Sequence, residues 1–243
     1  WLLYSLRFDK EISKNINFSF NFFGLEAKRN SLGFRTNRVS QIDSGEERDL
    51  IKGEFSNYGL ETRLLTNYKI LNKKSFFLIG IRYYNSNSSS AQGPGSKDSD
   101  PNFNFQNLTF PNYTNQSDYS YPNQNISLFG ENIFYLSDKI SLTPGFRFEK
   151  IKTKSDGFYK KINLDAAGNV IFNETYKEND EKNRDFLLLG LGLSYKLNRN
   201  LELYSNISEN YRSVTFADIS TINPAYAINP EIDDEKGYTF DLG

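Results

Sequence analysis

"NINFSFNF", residues 15–22, alternates without interruption. Ile16, Phe18, Phe20 and Phe22 occupy one parity, and Asn15, Asn17, Ser19 and Asn21 the other. A β-strand sends successive side chains to opposite faces, so one face of this segment is wholly apolar and the other wholly amide and hydroxyl. The fold turns on what covers the apolar face. In a soluble sandwich it is a protein core; in a membrane barrel it is lipid, and the polar face then lines a wet lumen.

The same parity recurs along the chain. Strand patterns lie near 1–9, 15–24, 55–70, 75–85, 124–136, 139–151, 185–197, 201–211 and 237–243. Ile140, Leu142, Pro144, Phe146 and Phe148 oppose Ser141, Thr143, Gly145, Arg147 and Glu149; Leu187, Leu189, Leu191, Leu193 and Tyr195 oppose Gly190, Gly192, Ser194 and Lys196. Helical spacing is not sustained anywhere, although "VTFADI" (214–219) could form one turn. The longest apolar run is "FLLLGLGL" (186–193), far below the ~20 residues of a spanning helix.

The connections discriminate further. "KEISKN", "LNKKS", "SDK" and "NRN" are short and turn-like, whereas polar stretches at 25–54, 86–123, 152–184 and 212–236 are long. Short and long alternate, and an antiparallel meander places all of one kind at one end. Tight turns at one end and long loops at the other are the pattern of an outer-membrane barrel. A soluble sandwich explains the alternation equally well, but it calls for turns every 8–12 residues. The expected fold class is therefore all-β: an antiparallel up-and-down transmembrane β-barrel, partial, with about nine strands of a larger one.

Composition excludes several chemistries. The chain has no Cys and no His, which removes disulfides, thiolates and the commonest general base and metal ligand. No nucleophile is paired with a base, so no catalytic site is expected, and no metal site or cofactor. The densest acidic run, Asp233, Asp234 and Glu235, reads as a solvated loop. A net charge of −1 implies no general attraction to nucleic acid or to acidic membranes.

Two stretches resemble a known family. "LFGENIFYLSDKISLTPGFRFEKI" (128–151) resembles a barrel hairpin of TonB-dependent outer-membrane receptors, and "LELYSNISENYRSVTFADISTINPAYAINPEIDDEKGYTFDLG" (201–243) resembles a later strand and loop of that family, in its ferric dicitrate and siderophore branch. Ser213 departs from the pattern, where Pro often follows the Arg. The resemblance implies a Gram-negative outer-membrane receptor with a plug inside a barrel of about 22 strands. It implies binding of a ferric siderophore or ferric citrate, and uptake energised through TonB. Residues 1–243 are then expected to be a barrel fragment, without the plug domain and the C-terminal strands. A passive channel or adhesin barrel, and a soluble carbohydrate-binding sandwich, are the alternatives.

Arg7, Arg63, Arg82 and Arg147 share the polar parity, away from lipid, where they are expected to pair with carboxylates such as Glu61 and Glu149 or with the plug. Counting strand directions places Arg82, Arg147 and Arg212 towards the long-loop end, and Arg7 near a short turn. Arg offers a bidentate fork to carboxylates. With the anionic chelate that the resemblance implies, Arg82, Arg147 and Arg212 become candidate ligand contacts, joined by the loop aromatics Tyr113, Tyr119 and Tyr121.

Residues 1–243 expressed alone are expected to aggregate in plain buffer, because two strand edges and a lipid-facing aromatic band stay uncovered. Sedimentation and thermal melting check this. A monomer that melts cooperatively without detergent would contradict the barrel reading.

Overall fold

The computed structural model describes residues 1–34, 40–43, 45–70, 72–97, 102–213 and 233–243. Nine strands account for most of them: β1 (Leu2–Ser13), β2 (Ile16–Gly33), β3 (Asp49–Ile70), β4 (Lys73–Pro94), β5 (Gln116–Tyr135), β6 (Ile140–Leu164), β7 (Val170–Lys196), β8 (Glu202–Arg212) and β9 (Glu235–Leu242). They form one sheet in sequence order, each strand antiparallel to its chain neighbours. The possible helical turn at 214–219 lies outside the described residues.

The register makes each face continuous. Phe22, Leu60, Tyr83 and Ile126 are successive cross-strand partners, as are Phe20, Thr62, Ile81, Leu128, Phe148 and Leu187. These side chains make one apolar face, here called outer. Leu187 and Leu189 are each 53% exposed, and Leu191 and Leu193 each 44%. Among the described residues the buried hydrophobic side chains are Ala27, Leu50, Tyr119 and Ile162, none of them from the apolar columns. A single sheet has no interior in which to place its leucines, so lipid is the solvent that suits them.

Aromatic side chains bound the outer band. Tyr4, Tyr58, Tyr83 and Tyr238 edge it on one side, with the Tyr58 and Tyr83 rings 6.3 Å apart; Tyr68, Phe134 and Tyr195 edge it on the other. From Tyr58 to Tyr68 is about ten residues, or ~34 Å of strand. At the usual ~45° tilt this gives ~24 Å of height, the thickness of the apolar band of an outer-membrane barrel.

The strands outrun the sequence expectation. The polar stretches at 25–54, 86–123 and 152–184 are largely strand: β2 continues to Gly33, β4 to Pro94 and β6 to Leu164, while β5 starts at Gln116 and β7 at Val170. The connection expected over 152–184 shrinks to a turn at 165–169. The reason is physical. Alternation of apolar and polar residues is imposed by lipid on one face only. Beyond the bilayer both faces meet water, so the parity contrast vanishes while backbone pairing persists.

At the other end the turns are tight. The Ser137 hydroxyl accepts from the Lys139 and Ile140 amides at 3.1 and 3.0 Å, and Asn72 adopts φ 62 in the β3–β4 turn. The β7–β8 ladder is short. It stops at Gly190–Ser208, above which the Leu189 amide donates to the Glu209 carboxylate at 2.7 Å.

The β6–β7 turn is built on one carboxylate. Asp165 accepts from the Asn169 side chain at 3.0 Å and from the Asn169 and Ala167 backbone amides at 2.7 and 2.9 Å, with Gly168 at φ 84. The Asn169 side-chain bond first, then the backbone donors, hold this carboxyl below its ordinary value.

Two outcomes are expected. Leu191→Arg, at the centre of the band, destabilises the full-length protein in lipid by ~2–4 kcal/mol, whereas Asn206→Arg on the inner face of β8 costs a small fraction of that; denaturant titration in vesicles measures both. For Asp165, the depressed folded pKa means that the turn is stabilised above about pH 4 and loses that contribution as pH falls through the folded value. Amide exchange at Ala167 and Asn169 reports the loss, and Asp165→Ala removes the pH dependence.

Candidate functional site

The inner face carries the opposite chemistry to the outer one. At the level of the band, Asn21, Glu61, Arg82, Ser127 and Glu149 form one cross-strand row, and Ser19, Arg63, Gly80, Phe129 and Arg147 the next. Arg63 pairs with Glu61 at 2.6 Å. Arg147 pairs with Glu149, whose buried carboxylate also accepts from Asn125 at 2.8 Å, and reaches the Ser127 hydroxyl at 3.3 Å. These pairings within the face meet the expectation that inward arginines neutralise neighbouring glutamates.

Aromatic rings laid over glycines make the floor of this belt. Phe129 faces Gly80, where an added Cβ would come within 2.4 Å of the ring; Phe23 faces Gly59, where the distance would be 2.5 Å. The Arg63 and Arg147 guanidinium carbons stand 5.9 and 5.7 Å from the centre of Phe129, and that of Arg82 stands 5.2 Å from Phe23. A flat ring offers its negative face to each cation. Among the described residues no carboxylate is ion-paired with Arg82, which is half-buried.

Higher up, the inner face is lined with tyrosines. Tyr119 lies across Gly157 and donates to Glu178 at 2.7 Å, two strands away, in a row that runs Tyr119, Gly157, Glu178. An added Cβ on Gly157 would fall 2.2 Å from the Asp118 carbonyl oxygen and 2.6 Å from the Tyr119 ring, so glycine admits both the neighbouring backbone and the ring. Tyr119 stacks on Tyr121 with centroids 5.9 Å apart, and Tyr159 on Tyr176 at 5.1 Å. Burial, and after it the Glu178 bond, raise the Tyr119 hydroxyl well above the ordinary phenol range; burial also raises Tyr121.

The six candidates fall in three places. Arg82 and Arg147 sit within the band, opposite the outward Ile81 and Phe148 rows, and not near the far end: β4 and β6 continue well beyond them. Tyr119 and Tyr121 are strand residues of β5 and not loop aromatics. Tyr113 does lie in a connection; its hydroxyl donates to Asp49 at 2.6 Å, a buried carboxylate that also takes the Gln92 amide at 2.9 and 3.1 Å. Arg212 ends β8, paired with Glu235 at 3.1 Å, and both are about two-thirds exposed (67%). The arrangement brings Arg82 and Arg147 to the same residue, Ser127, which is the cross-strand partner of Arg82 and accepts from Arg147, and it brings Tyr119 onto Tyr121. It does not gather all six.

Two features were not foreseen from the sequence. Tyr159 and Tyr176 lay in a stretch read as loop, and only a continued count of strand register would have paired them. Asp234 was read as solvated, yet it takes Arg184 at 2.7 Å in a nearly buried ion pair. Arg184 also donates to Thr153 at 3.0 Å, and Tyr211 donates to Asp234 while stacking on Phe186 at 3.8 Å.

Comparison with known proteins places this geometry. Residues 2–243 match the sequence model of the family described as TonB dependent receptor-like, beta-barrel. Among solved structures, the siderophore receptor PiuA from Acinetobacter baumannii superposes with a TM-score of 0.68 at 13% identity, covering 99% of this chain and 36% of that one. The ferric citrate transporter FecA in its unliganded form gives 0.66 at 16% identity, covering 99% and 31%. The ferric yersiniabactin uptake receptor FyuA from Yersinia pestis gives 0.60 at 14%, covering 98% and 32%. At such identities the likeness concerns the fold, and the chain spans about a third of the length of these receptors. No curated protein matches. An outer face made for lipid, an inner face of paired charges and flat rings, and a family match over nearly every residue agree: the chain belongs to the TonB-dependent receptor-like β-barrel family, whose members are receptors and not enzymes.

Proposed function

We propose that the complete protein is an outer-membrane receptor that takes up a ferric chelate, a siderophore or ferric citrate, with energy delivered through TonB. The observation that carries this reading is the family match over residues 2–243, on a sheet whose inner face holds a cationic belt. Residues 1–243 are part of its barrel domain. A plug domain and further strands belong to the rest of the receptor, and the outer membrane of a Gram-negative bacterium is its location.

Within the belt, Arg82 is the residue best placed to meet an anion. It stacks on Phe23 and has no ion pair among the described residues, so its charge is available to a carboxylate-rich or otherwise anionic chelate. Arg147 and Arg212 already hold Glu149 and Glu235 and supply secondary contacts. Tyr121, stacked on Tyr119, and Tyr113 offer ring faces on the way down. The long connections and the inner wall capture the chelate, and the belt draws it towards the plug.

Iron uptake by the full-length receptor tests the reading, with radiolabelled ferric siderophore and ferric citrate in iron-starved cells. Replacing Arg82, Arg147 and Arg212 together by Gln is expected to weaken uptake affinity by about 10- to 100-fold, the worth of one or two charge-assisted hydrogen bonds. Arg82→Gln alone should account for most of it. Unchanged affinity in the triple variant would remove these residues from the site, and uptake that persists without TonB would remove energised transport.

A further inference from the structure

The β7–β8 ladder ends at Gly190–Ser208, and above that rung the two strands part. Tyr211 shares the outer parity of β8 with Ile207 and Glu209. Its ring nonetheless stacks on Phe186, the cross-strand partner of Glu149 and an inner-face residue of β7. Asp234, directly before β9, meets Arg184, which is also on the inner face of β7 and donates to Thr153. Outer-parity contacts of β8 with the inner face of β7 place the upper ends of β8 and β9 on the lumen side of β7. The Glu209 carboxylate marks the parting, where it takes the Leu189 amide at 2.7 Å in place of a backbone rung.

The contact is built as a carboxylate receptor. Arg184 Nε and the Tyr211 hydroxyl donate to the same oxygen of Asp234, Oδ2, the first at 2.7 Å. Thr153 Oγ1 accepts from Arg184 Nη1 at 3.0 Å and fixes the guanidinium, while the Phe186–Tyr211 stack holds the phenol. The Arg184 and Asp234 side chains are only 7% and 16% exposed, so solvent screens the pair little. Its height on the wall is between the tyrosines and the belt. On β6, Thr153 and Ile151 lie between Gly157, under Tyr119, and Glu149 of the belt, and Ile151 is the cross-strand partner of Arg184. A chelate that descends this wall from the tyrosines to the belt passes Arg184.

We infer that Arg184 is an anion-binding residue of the uptake path, and that Asp234 is an autoinhibitory carboxylate which holds the site until a carboxylate of the chelate replaces it. This rests on the reading of the complete protein as a receptor for an anionic ferric chelate, and it narrows that ligand to a carboxylate-bearing class. A guanidinium and a hydroxyl converging on one oxygen suit a carboxylate. Exchanging one carboxylate for another keeps the buried guanidinium paired, whereas removing its partner outright is strongly destabilising. The resident carboxylate weakens the apparent affinity, because the chelate binds only the fraction of molecules in which Asp234 has left the site. A chelate without a carboxylate gains nothing from Arg184.

Titration calorimetry on the full-length receptor in detergent tests the inference, with ferric citrate and a neutral ferric trihydroxamate as probes. Asp234→Asn is expected to tighten ferric citrate binding on the order of tenfold, as for a site held shut about nine-tenths of the time, and to leave trihydroxamate binding unchanged. Arg184→Gln should weaken ferric citrate binding, and adding it to Asp234→Asn should abolish the gain. Glu54→Gln, which removes the carboxylate paired with Lys28 on the outer face, controls for lost negative charge and should change neither affinity. The heat-modified gel shift of the folded barrel confirms that each variant has closed. An ion pair that serves only to hold β9 against β7 predicts no tighter binding in Asp234→Asn, and that result would overturn the inference. So would an equal gain in the Glu54 control. Binding of the trihydroxamate without ferric citrate would overturn it and leave the receptor reading in place, and failure to bind any ferric chelate would overturn both.

Discussion

Every backbone N–H and C=O that enters hydrocarbon must be taken by a neighbouring strand, because no water is there to take it. That requirement organises the whole chain. It forces each strand to pair antiparallel with the next, and pairing fixes the register. The register carries one parity of side chains around the sheet as an unbroken apolar face. A slip of one residue on any strand would turn that strand's aromatics inward and its amides into lipid. The rows from Phe20 through Thr62, Ile81, Leu128 and Phe148 to Leu187 are therefore consequences of backbone chemistry before they are matters of packing.

A single sheet has no opposing layer, so the inner face must stabilise itself laterally. It does so by laying an aromatic ring over a glycine on the adjacent strand. Tyr119 on Gly157, Phe23 on Gly59 and Phe129 on Gly80 are all direct cross-strand partners. The missing Cβ lets the ring lie flat, and the flat ring then presents its face to a guanidinium. Arg63 and Arg147 share Phe129 in this way, while their own carboxylates, Glu61 and Glu149, complete a network that keeps charge inside the barrel at low cost. Structural arginines and an available one can thus stand side by side. Arg82 has the ring but no carboxylate among the described residues, and that difference is what singles it out.

The sequence made the membrane legible and the space beyond it obscure. Alternation such as that of residues 15–22, or of Leu187 to Tyr195, exists because one side meets lipid, and it identifies those strands correctly. Above Phe148 the chain reads Lys150, Lys152, Lys154 outward and Ile151, Thr153, Ser155 inward, which has no period to detect, although β6 runs on to Leu164. The same loss hid the Tyr159–Tyr176 stack and made β5 appear to begin near residue 124. The inward parity of the arginines was readable, and so was their pairing with Glu61 and Glu149. Their height was not, because it depends on where each strand ends. The pairing of Asp234 with Arg184 links positions 50 apart in the chain, a relation that no local pattern encodes.

Charge illustrates the same difference between composition and placement. A chain of 29 cations and 30 carboxylates gives no reason to expect attraction to an acidic surface. The meander sorts those charges by height, since every second connection returns to the same end. Short turns rich in Lys then sum to a positive rim, and the far ends hold the excess of carboxylates. An up-and-down topology converts a neutral composition into a directional field. Such a field can orient a barrel in a bilayer whose two surfaces differ in charge.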